Sequence, residues 1–203
     1  MKLYDGGRAP SPRRVRIFLA EKGIEVPIAP VDLGKGEQFG DVYTDLNPLQ
    51  RVPLLLLDDG TAIAETMAIC RYFEAQQPEP NLFGRDAREI ALIEMWNRRV
   101  EFNLSDAVSS AFRHLHPSMA RSEVPQVAAW GEANKAKALA FLALLDRELR
   151  TRKYVALDRF TVADISAMCA IDFMKPAKIA LPDDFANVRR WHAECAARPS
   201  AGA

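Results

Sequence analysis

Apolar residues follow two different patterns along the chain, and the first pattern covers residues 1–75. There, short apolar stretches of strand length alternate with segments that carry apolar residues at helical spacing. Strands are predicted at 1–4, 26–31, 54–57 and 61–64, and helices at 12–22, 38–45 and 65–74. The last two strands are separated by an Asp-Asp-Gly turn that is typical of a β-hairpin. Because the opening β-α-β unit implies parallel strands and the hairpin adds antiparallel ones, we expect a mixed four-stranded sheet with helices on both faces.

The second pattern, in the rest of the chain, has helical spacing only. Residues 76–85 contain two prolines and a glycine and predict a linker. Beyond them apolar residues recur only at helical spacing, and Thr161 with Asp164 predicts a capping box at the start of one helix. The predicted architecture is therefore a thioredoxin-like α/β domain over residues 1–76, followed by an all-α helical bundle over residues 86–203.

Composition excludes several classes of partner. The 203 residues include 27 Lys and Arg against 27 Asp and Glu, so no net charge favours nucleic acid or an anionic membrane. No apolar run reaches the ~18 residues of a membrane span, and the N-terminus lacks the features of a secretory signal. Three scattered cysteines fit a reducing, cytoplasmic location, and three histidines without paired spacing do not indicate a metal site. The basic cluster Arg13, Arg14 and Arg16 is interpreted as surface or inter-domain ion pairs.

Residues 47–74 carry the most specific chemistry. Val52-Pro53 opens a strand; a cis bond there would turn the Val52 N–H and C=O toward an extended peptide, whereas a trans proline at a first strand position is the alternative. Glu65 and Thr66 begin a helix, where backbone N–H groups and the helix dipole favour a ligand carboxylate. Ordinary N-capping is the alternative function for this pair.

Four segments together resemble one family. They are VRIFLAEKGI at 15–24, NPLQRVPLLLLDDG at 47–60, ETMAICRYFE at 65–74 and YVALDRFTVADI at 154–165. Over nearly its whole length the chain resembles a cytosolic glutathione S-transferase of the bacterial and fungal kind. The resemblance implies that glutathione is a co-substrate, that no other cofactor is needed, and that the protein forms a homodimer.

The resemblance also implies a set of glutathione-binding residues. Val52, followed by a cis Pro53, would bond the cysteinyl part of glutathione through its backbone. Glu65 and Thr66 would hold the γ-glutamyl amine and carboxylate. Arg51 matches the basic position near the glycyl carboxylate, where a charge-assisted hydrogen bond is chemically sensible.

The sequence departs from the common family pattern Ser-Pro-x-x-Arg-Lys/Arg-Val-Arg at the position of the group that stabilises the thiolate. Aligning residues 13–16 without gaps places Ala9 at the position of the serine. Ser11 instead matches a Thr-Pro-Asn branch and is a candidate thiolate donor. Ser11-Pro12 also predicts an N-cap followed by proline at the first helical position, and the two roles are compatible. Tyr4 is expected to face the core, because side chains alternate along a strand.

A second source of the donor is the helical half. His114 or Ser118, directly or through water, could reach the sulfur from the helix that lines the cleft in this family. The alternative for His114 is a solvated helix C-terminus, where the dipole favours imidazolium. The residues expected by position alone to line a pocket for a small hydrophobic electrophile are Phe102, Phe112, Leu115 and Met119.

Three functions remain open at this point. The leading one is a glutathione transferase that conjugates the activated thiol to small hydrophobic electrophiles, in detoxification. The match of Ser11 to the Thr-Pro-Asn branch motivates a glutathione-dependent disulfide or peroxide reductase. Ala9 motivates the third, a glutathione-binding protein without turnover.

Overall fold

The computed structural model describes all residues, 1–203. The chain divides into two compact units. We call Met1–Asn81 together with Pro199–Ala203 the α/β unit, and Leu82–Arg198 the helical unit. Compared with the division drawn from sequence, the last five residues join the first unit and not the helical one.

The α/β unit contains four strands and three α-helices. In chain order they are β1 (Lys2–Asp5), α1 (Pro10–Lys22), β2 (Ile28–Pro30), α2 (Asp41–Leu46), β3 (Leu54–Leu56), β4 (Ala62–Ala64) and α3 (Thr66–Gln76). Short 3₁₀ turns span Glu37–Phe39 and Pro199–Gly202. The sheet has the order β2-β1-β3-β4, with β2 parallel to β1 and the other two pairings antiparallel. The predicted mixed four-stranded sheet is confirmed.

Side chains alternate between the two faces of the sheet as its pleat requires. Tyr4 packs with Tyr43, Val31 and Leu54 on the α2 face, and the two tyrosine rings meet edge to face with centroids 5.6 Å apart. Leu3, the neighbour of Tyr4 in β1, lies on the opposite face of the sheet and is fully buried. The contacts of Tyr4 with the cluster on the α2 face show that it faces the core, as predicted.

Buried Lys22 ties the segment after α3 to the end of α1. Its ammonium donates to the carbonyls of Gln77 at 2.7 Å, Pro78 at 3.3 Å and Pro80 at 2.9 Å, and pairs with the Glu74 carboxylate at 2.5 Å. A buried ammonium is tolerated only when all three of its protons have such partners. These bonds explain why residues 77–81 belong to the α/β unit.

The helical unit contains no strand. Its helices are α4 (Ala87–Val100), α5 (Asp106–Leu115), α6 (Ala128–Leu149), α7 (Val162–Asp172) and α8 (Ala186–Ala196). A π-helical stretch, Glu101–Ser105, joins α4 to α5, and a 3₁₀ turn, Pro117–Met119, follows α5. None of the helices combines the length and the apolar character needed to cross a membrane.

Asp164 is the polar anchor of the helical unit. Its fully buried carboxylate accepts hydrogen bonds from Val155 N–H at 2.8 Å, Thr161 N–H at 2.9 Å, the Thr161 hydroxyl at 3.0 Å and Trp191 Nε1–H at 2.9 Å. The predicted capping box of Thr161 and Asp164 is confirmed. Burial raises the pKa of Asp164 to about 6, although these hydrogen bonds act to lower it.

Asp164→Ala should lower the free energy of unfolding by at least about 3 kcal/mol, because three buried N–H donors would lose their acceptor at about 1–3 kcal/mol each. Urea unfolding followed by tryptophan fluorescence measures the change. The exposed Asp184 makes a matched control, and Asp184→Asn should alter stability by less than about 0.5 kcal/mol. Equal unfolding midpoints for the two variants would contradict the anchoring role of Asp164.

Candidate active site

The pairing of the strands brings together residues that are distant in the sequence. They meet at the end of the sheet where β1 and β4 finish and β3 starts, and we call this end the sheet edge. Leu54, at the start of β3, pairs with Tyr4 of β1 and with Ala64 of β4. Because β3 runs opposite to both neighbours, Val52, just before β3, lies at the same edge as Glu65, just after β4. The helices α1 and α3 follow β1 and β4 and begin at this edge too.

Gly6 allows Val52 to approach the end of β1. A Cβ atom on Gly6 would stand 2.8 Å from Val52 Cγ2 and 2.8 Å from Leu33 Cδ1. Such distances are shorter than carbon atoms tolerate, so a side chain here would displace the valine. Sequence reasoning missed this role; the glycine pair directly after the first strand was the available signal.

The residue before Val52 is held in place by two side chains. The Arg51 carbonyl accepts hydrogen bonds from Tyr43 Oη at 2.6 Å and from Asn47 Nδ2 at 2.8 Å. Burial raises the pKa of Tyr43 to about 12, so its phenol remains a donor at neutral pH. The Val52–Pro53 bond is cis, and the N–H and C=O of Val52 take part in none of the hydrogen bonds within the chain. A ligand backbone can therefore pair with them.

Glu65 and Thr66 do not cap α3 in the ordinary way. Glu65 stands at the N-cap with φ of 69°, in the left-handed region that a glutamate rarely adopts, and its exposed side chain makes no capping bond. Thr66 is buried, and its hydroxyl donates to the Ser11 carbonyl at 3.4 Å. The N-capping alternative is therefore wrong for these side chains. Strain of this kind is concentrated at functional sites.

Ser11 lies inside the first turn of α1 and not before it. The helix begins at Pro10 with Ala9 at the N-cap position, where φ is −66° and ψ is 138°, so the N-cap role expected for Ser11 is wrong. Since Pro10 and Pro12 have no N–H, Ser11 carries the one amide hydrogen among the first three residues of the helix. Its hydroxyl oxygen accepts a hydrogen bond from Arg14 Nη2 at 3.2 Å. Ser11 thus offers an N–H and an O–H at the positive end of the helix dipole.

The two candidate donors of the helical unit are engaged within that unit. His114 Nδ1 accepts from the Val127 N–H at 3.0 Å, so the ring hydrogen lies on Nε2, which is 3.6 Å from a Glu123 carboxylate oxygen. Ser118 Oγ lies 2.7 Å from His116 Nδ1. His114 therefore holds the segment that follows α5, and donation to a sulfur would require it to give up a contact with Glu123.

The four predicted pocket residues have different environments within the helical unit. Phe102 is exposed over 57% of its surface, and Phe112 stacks on the His116 ring with centroids 4.7 Å apart. Leu115 packs against α6 at a glycine where any Cβ would clash with it. Met119 is half-buried in the 3₁₀ turn. Leu115 thus has a helix-packing role, and a pocket formed by these residues stays a prediction.

The thiols of the protein are not placed for chemistry. Cys70, Cys169 and Cys195 are buried and form no disulfide. Burial raises the pKa of the Cys195 thiol far above its ordinary value. No group of three or more His, Cys, Asp or Glu side chains is arranged to hold a metal ion.

Comparison with known families identifies the class of protein. Residues 9–76 match the model of the glutathione S-transferase N-terminal domain, and residues 109–199 match that of the glutathione S-transferase C-terminal domain. The chain belongs to the glutathione S-transferase family. The prediction of an enzyme of this family, with its α/β and all-helical parts, is confirmed.

Individual relatives cover nearly the whole chain. Glutathione S-transferase 2 of Saccharomyces cerevisiae is 38% identical over 98% of this chain and 87% of its own length. A crystal structure of a glutathione S-transferase domain-containing protein from Marinobacter aquaeolei VT8 superposes with a TM-score of 0.95 at 40% identity, covering 98% of this chain and 99% of its own. Maleylacetoacetate isomerase of Rattus norvegicus is 29% identical over 98% of this chain and 82% of its own length.

Gly6→Ala should weaken binding of glutathione and lower the thermal midpoint, because overpacking at Val52 costs about 1–3 kcal/mol. Isothermal titration calorimetry and thermal unfolding measure the two effects. Gly202→Ala is the control, since a Cβ there meets nothing within 4 Å. If Gly6→Ala binds glutathione like wild type, the close approach of Val52 has no role in the site.

Proposed function

We propose that this protein activates the thiol of glutathione and transfers it to small hydrophobic electrophiles. The observation that carries the proposal is the set of polar groups left open along one sheet edge. They are the Val52 N–H and C=O, the exposed Glu65 carboxylate, the exposed Arg51 guanidinium and the Ser11 donors. An extended tripeptide with one amine, two carboxylates and a thiol is complementary to these groups.

In the proposed complex each part of glutathione has a partner. Val52 pairs with the cysteinyl backbone through main-chain hydrogen bonds, the kind that give affinity for extended peptides. Glu65 takes the γ-glutamyl amine, while Thr66 and the N-terminus of α3 take its carboxylate. Arg51 takes the glycyl carboxylate through a charge-assisted bond. The cysteinyl sulfur then faces the start of α1, where Ser11 lies.

The energy needed for thiolate formation is within reach of Ser11. A thiol of pKa ~8.5 is only about 3% ionised at pH 7. Lowering its pKa by ~2 pH units requires ~2.7 kcal/mol, and one hydrogen bond to a charged group supplies ~1.5–3 kcal/mol. The dipole of α1 adds ~0.3–1 kcal/mol. The thiol gives its proton to solvent, the thiolate attacks the electrophilic carbon and a carbon–sulfur bond forms. In a substitution the bond from that carbon to the leaving group breaks, and the leaving group departs as an anion.

Ser11 is favoured over His114 and Ser118 as the donor. The hydrogen of the Ser11 hydroxyl has no acceptor within the chain, whereas His114 faces Glu123 and Ser118 faces His116.

The proposal includes four further properties that follow from the family resemblance. They are a homodimer, a cytoplasmic location, a role in detoxification and a pocket for the electrophile. The candidate residues for that pocket are Phe102, Phe112, Leu115 and Met119.

Glu65→Ala should weaken binding of S-methylglutathione by about 10- to 150-fold, the equivalent of ~1.5–3 kcal/mol for a hydrogen bond to a charged group. Ser11→Ala should leave that affinity nearly unchanged, because this ligand has no ionisable thiol. Isothermal titration calorimetry measures both values. Glu25→Ala, at another exposed glutamate, is the control for net charge. Equal losses in the Glu65 and Ser11 variants would argue against the assignment of Glu65 to the amine.

Ser11→Ala should raise the pKa of bound glutathione by about 1–2 pH units, since it removes one hydrogen bond to the thiolate. Ultraviolet difference titration of the bound thiol measures the change, and His114→Ala should behave like wild type. A raised thiol pKa in His114→Ala alone would move the donor to the helical unit. A wild-type thiol that titrates at its free value would identify a binding protein without thiol activation.

Turnover assays separate the remaining alternatives. The proposed transferase consumes an activated aryl chloride, forms a thioether and releases chloride. A glutathione-dependent reductase turns over the mixed disulfide formed with hydroxyethyl disulfide and gives no conjugate. Both measurements use the wild-type protein with the same glutathione concentration.

A further inference from the structure

The arginines of the first half of α1 have three different environments. Arg13 Nη2 donates to the Ala201 carbonyl at 3.0 Å. Arg16 forms an ion pair with the buried Asp5. Arg14 is buried, with 9% of its surface exposed, and points toward α3. The interpretation of this cluster as surface or inter-domain ion pairs is therefore wrong for Arg14.

Arg14 connects the starts of the two helices without an anionic partner. Its Nη2 lies 3.2 Å from Ser11 Oγ and 3.4 Å from Thr66 Oγ1, both of which accept from it. Its Nη1 is buried and has no hydrogen-bond partner. A buried cation that lacks both an anion and a full set of acceptors is costly to the fold, so its retention calls for a role in binding or catalysis.

We propose that Arg14 is a positioning residue that directs and polarises the Ser11 hydroxyl toward the sulfur of bound glutathione. The inference rests on the proposed function, in which Ser11 is the thiolate donor. A hydroxyl that accepts a hydrogen bond from a guanidinium must point its own hydrogen elsewhere. Accepting from a cation also makes the hydroxyl a stronger donor, because hydrogen bonds in a chain polarise one another.

The contact with Thr66 gives the same guanidinium a second effect. Arg14 fixes the distance between the Ser11 and Thr66 hydroxyls, which lie on different helices. A planar guanidinium holds such a geometry better than a flexible ammonium does. The N-terminus of α3, which receives the ligand carboxylate, and the Ser11 hydroxyl, which receives its sulfur, are thereby held in one arrangement before the ligand binds.

The test is a double-mutant cycle read out by the pKa of the bound glutathione thiol. Ser11→Ala, Arg14→Met and the double variant are titrated by ultraviolet difference spectroscopy. Methionine keeps much of the volume of the arginine side chain but removes its charge and its donors. Arg13→Met, one residue away on the same helix, is the matched control for the lost charge, and thermal unfolding checks that each variant is folded.

We expect Arg14→Met to raise the thiol pKa nearly as far as Ser11→Ala, and the double variant to raise it no further. Arg13→Met should leave it unchanged. Additive effects of the two substitutions would overturn the inference, because Arg14 would then act directly through its charge. Should Arg14→Met fail to fold, Arg14→Gln, which also removes the charge, enters the same cycle, with the same non-additive result expected.

The proposed function and this inference fail in different ways. If Ser11→Ala leaves the thiol pKa unchanged, Ser11 is not the donor and both are wrong. If Ser11→Ala raises the thiol pKa and Arg14→Met does not, the serine keeps its role and the positioning role of Arg14 is overturned.

Discussion

The antiparallel pairing of β3 with β1 on one side and β4 on the other determines which residues of the α/β unit can act together. Because β3 runs against both neighbours, its start lies beside their ends. The helices α1 and α3 begin at that same edge, so the positive ends of both helix dipoles lie there. A ligand with two carboxylates and an ionisable thiol is favoured by this arrangement of the backbone before any side chain is considered.

Side-chain contacts then hold the chain in place at this edge of the sheet. Tyr43 and Asn47 both bind the Arg51 carbonyl, and the absence of a side chain at Gly6 lets Val52 pack against the end of β1. The Val52 backbone is therefore held, without ligand, in the position that the proposed complex requires. Preorganisation of this kind improves affinity by reducing the ordering that binding requires. The energetic cost is visible at Glu65, whose backbone adopts a strained positive φ.

Much of the fold could be predicted from sequence, because local patterns of residues determine its strands, turns and helix starts. The alternation of apolar residues, the Asp-Asp-Gly turn and the pairing of Thr161 with Asp164 led to the observed sheet and capping box. The start of α1 could not be predicted in the same way. Ser11-Pro12 is a typical cap and first-turn pair, but Pro10 satisfies the same backbone requirement two residues earlier, so two registers were compatible with the sequence.

Local sequence patterns also did not indicate which charged residues are buried. In the α/β unit, the environments of two buried cations distinguish a structural role from a functional one. Lys22 and Arg14 are both buried cations of α1. The ammonium of Lys22 is matched by three carbonyls and the Glu74 carboxylate, so its role in holding the chain together is complete without ligand. The guanidinium of Arg14 has only two hydroxyl acceptors and an unpartnered Nη1 beside the sheet edge. An incompletely satisfied buried charge lowers the stability of the fold, and the proposed positioning of the Ser11 hydroxyl gives the retained guanidinium of Arg14 a function.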